Sequence, residues 1–182
     1  MTRHASWFWS VTLTAGLGVA QAMAVASAPE YQVKAAFVFK FATYIRWPAL
    51  AESSTAPFII GVIGKDPFGS ALDDVVNAQN VRGRSILIRK LNRPEDALRC
   101  EVLFIASSEQ SNLPQILAAL RGAPVLTVGD MDQFAKQGGM IGLVTTEDNL
   151  VRFEINRAAL DRAGLKAPSQ LLRLATLVEE SR

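Results

Sequence analysis

The chain has 182 residues, 49% hydrophobic and 20% charged, with a formal net charge of +2. That balance excludes a phosphate-backbone partner, which needs a concentrated cationic face, and the length suffices for one domain with a real core. A single His (His4) and a single Cys (Cys100) leave no parts for Ser-His-Asp or Cys-His catalysis, an ordinary zinc site or an intramolecular disulfide.

Residues 1–28 read MTRHASWFWSVTLTAGLGVAQAMAVASA. A basic start at Arg3 and His4, an apolar run from Trp7 to Ala20, and A-x-A patterns at Ala22-Met23-Ala24 and Ala26-Ser27-Ala28 predict a signal peptide cut after Ala28. The run is short for a membrane span. The mature protein, residues 29–182, is then a single periplasmic domain without imidazole. It balances 18 basic against 17 acidic residues, because Arg3 leaves with the leader.

Pro29 to Pro48 predicts the first helix. Pro29 and Glu30 suit its start, and Pro48 ends it by restricting Trp47. Val33, Phe37, Phe41, Tyr44 and Ile45 share one face, while Phe39 lies roughly 160° from Phe37. Lys34 and Lys40 flank the stripe with their amines expected in water. Aromatics on both sides leave two readings, a helix buried between layers or one docked on a partner. Phe37, Phe39, Phe41 and Tyr44 are the dimer or partner candidates.

Ala49 to Pro57 reads as a loop, and Phe58 to Ile63 as a strand covered on both faces. A turn at 64–69 leads into a helix to about Ala78, then a basic turn at 81–84 and a strand from Ser85 to Arg89. A short helix at Pro94 to Leu98, a buried strand at Val102 to Ala106 and a helix from Ser111 to Leu120 follow. Val125 to Val128 is the next strand, with a short helix around Met131 to Lys136. Met140 to Thr145 and Leu150 to Asn156 form a hairpin, and strict alternation in the second strand places it at a sheet edge. Residues 157–164 form a helix, and Ser169 caps a final one to about Val178. The fold class is α/β: a mainly parallel sheet with helices on both faces and a C-terminal antiparallel hairpin.

Read together, EYQVKAAFVFKFATYIRWP, IIGVIGKDPFGSALD, CEVLFIASSE, LPQILAALRGAPVLTVGD, FAKQGGMIGLVTTEDNLVRFEINRAAL and AGLKAPSQLLRLATLV resemble the YfiR family of exported proteins across the whole mature chain. The resemblance implies a periplasmic repressor with no catalytic residues and no cofactor or metal. Such a repressor binds the periplasmic domain of an inner-membrane diguanylate cyclase, is sequestered by an outer-membrane lipoprotein, and forms a homodimer. Better-known members carry disulfides; with Cys100 alone, that feature does not transfer.

Arg152, Glu154 and Asn156 share one strand face, about 6.5–7 Å apart, and form the partner-binding candidate with Lys166 and Arg173. Asp66, Asp73, Asp74 and Asp130 read as scattered surface carboxylates. The alternative function is a small-ligand binding protein with its cleft at the 64–69 and 129–139 loops, where α/β folds place ligands.

Overall fold

The computed structural model describes residues 20–48 and 55–181, with side chains from Glu30 onward. The apolar run of the expected leader and residues 49–54 of the expected loop lie outside the described residues. Helix α1 (Ala20–Tyr44) begins before Pro29, where the sequence predicted its first turn; cleavage after Ala28 would make Pro29 the leading residue, a position that needs no N–H.

Eight strands follow in one sheet: β1 (Phe58–Ile63), β2 (Asn80–Val81), β3 (Arg84–Leu91), β4 (Val102–Ile105), β5 (Leu126–Gly129), β6 (Ile141–Thr145), β7 (Val151–Asn156) and β8 (Thr176–Val178). Their spatial order is β2-β3-β1-β4-β5-β6-β7-β8. The run β3-β1-β4-β5-β6 is parallel, and β6 and β7 form the expected antiparallel pair. The α/β expectation therefore holds. Helices α2 (Ala71–Val76), α3 (Leu113–Ala119), α4 (Arg157–Arg162) and α5 (Ser169–Leu174) complete the layers, with 3-10 turns at Pro94–Arg99 and Ser107–Asn112.

Alternation along each strand divides the core in two. Ile60, Val62, Phe104, Leu126, Val128, Ile141, Phe153 and Ile155 pack with α1 on one face. Leu103 and Ile105 face Leu113, Ile116, Leu120 and Phe134 on the other. Phe134 fills the space above two glycines: a Cβ on Gly129 or Gly139 would come within 2.6 or 2.2 Å of its ring. The GGMIG turn is thus a packing requirement, and residues 131–137 form turns around Phe134 in place of the expected helix.

Three expectations are corrected. β7 is not the edge strand, because β8 pairs parallel outside it. The last helix stops at Leu174, since Thr176-Leu177-Val178 instead supplies the hydrogen bonds that β7 would otherwise leave open. Ser169 is the first residue of α5, whose N-cap is Pro168, and no side-chain cap bond forms there. The 81–84 turn is also less solvated than its charge suggests: Arg84 is buried against Glu101 and donates to the carbonyls of Ala56 and Pro57.

Candidate functional site

Helix α1 lies across one face of the sheet, and polar contacts pin its middle turns and its C-terminal end. In its middle turns, Lys34 Nζ sits 2.6 Å from Glu30 Oε1 and 3.0 Å from Asp130 Oδ2. Tyr31 donates its hydroxyl to the same Asp130 oxygen at 2.7 Å, and Thr145 donates to Glu30 Oε1 at 2.6 Å. The Lys34 amine also lies 4.6 Å from the Tyr31 ring centroid, and that ring meets Phe68 edge-on. The cluster sits at the carboxyl ends of β5 and β6, where Asp130 and Thr145 emerge.

Both Lys34 and Asp130 are buried, with side chains 5% and 3% exposed. This corrects the expectation that the Lys34 amine is wet and Asp130 a surface acid. The helix's inner stripe is Lys34, Ala35, Val38, Phe41, Ala42 and Ile45, one step round from the predicted stripe, which leaves Val33 and Tyr44 outside. A buried ion pair survives because the partners neutralise each other and collect further hydrogen bonds. Asp130 Oδ1 has no such partner among the described residues. Burial and the Asp130 hydrogen bond push the Tyr31 hydroxyl well above its ordinary pKa. For Glu30, burial acts upward, but hydrogen bonds from Lys34 and Thr145 and the Lys34 charge outweigh it, so its carboxyl lies below the ordinary value.

The C-terminal end of α1 is held by Trp47, whose indole N–H donates to the Pro124 carbonyl at 3.0 Å and whose ring meets Phe58 edge-on. Arg46 and Lys166 exchange backbone hydrogen bonds of 3.0 Å, and Arg82 donates to the Ile45 carbonyl at 2.7 Å. Fixed at these two places, the segment between them presents its outer face as a rigid surface.

That outer face carries Val33 and Tyr44, 45% and 50% exposed. Between them Phe37 is half-buried, 5.8 Å from the Phe41 ring and 5.5 Å from Phe153. Of the four aromatic candidates, Phe41 is withdrawn from any interface, because it is fully buried between Phe37 and Phe153. Phe39 is half-buried and packs on the same core.

The strand candidates divide as well. Phe153 and Ile155 point towards α1, so Arg152 and Glu154 lie on the opposite face. Arg152 is exposed and Glu154 half-buried, and the two make no salt bridge among the described residues. Asn156 is fully buried: its carbonyl oxygen accepts from Ala159 N–H to cap α4, and its amide donates to the Ala135 carbonyl. Its place in the alternation is polar for an internal reason, so it is not a partner contact. Lys166 and Arg173 are exposed, Lys166 at the C-terminal end of α1 and Arg173 on α5. The structure does not gather these residues into one patch.

One acid in each of the 64–69 and 129–139 loops is engaged. Asp66 accepts from Phe68 N–H and pairs with Lys90 at 2.9 Å, and Asp130 is held by α1. Among the described residues no His/Cys/Asp/Glu cluster could hold a metal ion. Cys100 is buried, and burial, with the Glu101 carboxylate nearby, pushes its thiol up to about 11.

Two solved structures share this fold. The ABC domain in complex with L-Trp from Streptococcus pneumoniae has a TM-score of 0.56 at 8% identity, covering 79% of this chain and 60% of that one. A conserved domain protein from Vibrio cholerae O1 biovar El Tor has a TM-score of 0.54 at 14% identity, covering 82% of this chain and 60% of that one. The chain spans about 60% of each neighbour's length, and at such identities the likeness is one of fold alone. The sequence itself is more specific: residues 31–176, from the Tyr31 of the buried cluster to the first residue of β8, match the YfiR/HmsC-like family. This chain belongs to the YfiR/HmsC-like family.

Proposed function

We propose that this protein, after loss of residues 1–28, works in the periplasm as a repressor. It binds the sensor domain of an inner-membrane diguanylate cyclase, or a similar signalling enzyme, and holds it inactive, lowering cyclic di-GMP. The observation that carries this reading is family membership over residues 31–176. The clamped α1 supports it by presenting Val33, Phe37 and Tyr44 on a rigid surface, and aromatic residues are enriched where protein interfaces bury their centres. No helix among the described residues is long and apolar enough to cross a membrane.

Repression requires that the protein bind the inactive cyclase more tightly than the active one. In this reading α1, with Phe37, Phe39 and Tyr44, forms the contact between copies or with the cyclase. Arg152 and Glu154 on the opposite sheet face, and separately Lys166 and Arg173, supply further polar contacts. An outer-membrane lipoprotein would compete for one of these surfaces. The test is reconstitution: the mature chain added to membranes bearing the cyclase should lower cyclic di-GMP synthesis in a saturable way. Unchanged synthesis at saturating protein, with no binding to the isolated sensor domain, would reject the reading.

A further inference from the structure

A groove of about 400 Å³ opens beside α3 and α4, with Gln137 and Gly138 of the 129–139 loop in its wall. Leu117, Met140, Ala159 and Ala163 give it an apolar lining, and Arg121 and Arg162 are the cations in its wall. The volume falls within the range of small-molecule sites. The protein's own C-terminal segment runs along this groove. Ser181 donates its N–H to the Lys136 carbonyl at 2.8 Å, and the Glu180 carboxylate meets Arg162 at 2.5 Å. Glu180 also lies over Gly138, where an added Cβ would come 3.3 Å from Oε1. Gly138 has a φ of 101°, a conformation open to glycine, so the backbone leaves room for the carboxylate. Arg121 has no carboxylate partner among the described residues.

We propose that this groove is a binding site for a small organic anion, a carboxylate on an apolar body, and that Glu180 occupies the anion position when the site is empty. The arrangement has the parts such a ligand needs: a guanidinium that already receives a carboxylate, a second guanidinium without one, and apolar walls for the remainder. Arg162 and Glu180 are both half exposed, 51% and 43%. Such pairs are weakly held, so an incoming carboxylate that also buries apolar surface displaces Glu180. The proposal stands independently of the cyclase.

The test uses the full mature chain with 4-phenylbutyrate as the probe and 4-phenylbutan-1-ol as its uncharged counterpart, followed by calorimetry and methyl NMR. The acid should bind at least about tenfold more tightly than the alcohol, the minimum expected of a charge-assisted bond to arginine, and shift the methyls of Leu117, Met140 and Ala163. Glu180→Gln should tighten binding by up to about fivefold, the scale of an exposed ion pair. Arg162→Gln, which breaks the same pair, should weaken it. Opposite effects from two variants that remove one ion pair cannot arise from stability. Equal binding of acid and alcohol, no binding of the acid at millimolar concentration, shifts confined to other methyls, or affinity changes of the same sign in both variants would each overturn the proposal.

Discussion

Lys34 Nζ and Asp130 Oδ2 stand 3.0 Å apart across 96 residues of sequence, with both side chains buried. The pair ties the first helix to the end of β5, and so fixes the position of the surface assigned to the partner. Removing Lys34 leaves Asp130 charged in the interior with the Tyr31 hydroxyl as its remaining partner. Lys34→Met should therefore lower unfolding free energy by about 3–5 kcal/mol, read from urea titration with an unchanged slope. Lys34→Met combined with Asp130→Leu should recover most of that loss. A double variant no more stable than the single one would show that the charges do not act as a pair.

The pH dependence of stability should carry the mark of Glu30. Its carboxyl is depressed in the folded state, so the unfolded chain takes up the proton first as pH falls. Glu30 then contributes stability that is complete above the ordinary carboxylate pKa and is lost as pH drops through the lower folded value. Glu30→Gln should remove part of the acid-side loss while leaving the neutral-to-alkaline profile parallel to wild type. Identical acid limbs in thermal melts would place the titration elsewhere.

Asn156 should behave as a structural residue. Asn156→Ala removes the α4 cap and the shorter of the two hydrogen bonds to the Ala135 carbonyl, a loss of about 1–3 kcal/mol. Arg152→Ala, at an exposed position, should cost under about 0.5 kcal/mol. Denaturant midpoints for the two variants separate these outcomes.

Cys100 should resist alkylation. Burial holds its thiol up at about 11, so at neutral pH the thiolate is scarce and shielded. Reaction with iodoacetamide should track global unfolding as denaturant is added. Rapid labelling of the native chain would contradict the buried placement.

Much of this architecture was legible. Continuous apolar runs such as Phe58–Ile63 marked the parallel strands, and alternation in Val151–Asn156 marked the hairpin. Alternation also misled, because it reports which face is polar but not whether a further strand pairs beyond it. β8 supplies that pairing from 22 residues further along the chain, and Asn156 is polar to serve a helix cap. The Lys34–Asp130 pair was half visible: Lys34 falls in step with Ala35, Val38 and Phe41, and Asp130 directly follows an apolar strand. Nothing local links two charges brought together only by tertiary packing. The buried Phe41 and Ile45 were better placed than the outward face, since a step of two residues turns a helix by about 200° and separates the exposed Tyr44 from the buried Ala42.

The central claim is that this protein acts through a surface centred on α1, and its most direct test is binding to the purified periplasmic sensor domain of a membrane diguanylate cyclase. The wild-type mature chain should bind, and Tyr44→Glu and Val33→Glu, both at exposed positions, should retain the wild-type melting profile while weakening binding at least about tenfold, as a buried interface charge does. Undiminished binding by both folded variants, or no binding by the wild type, would contradict the account.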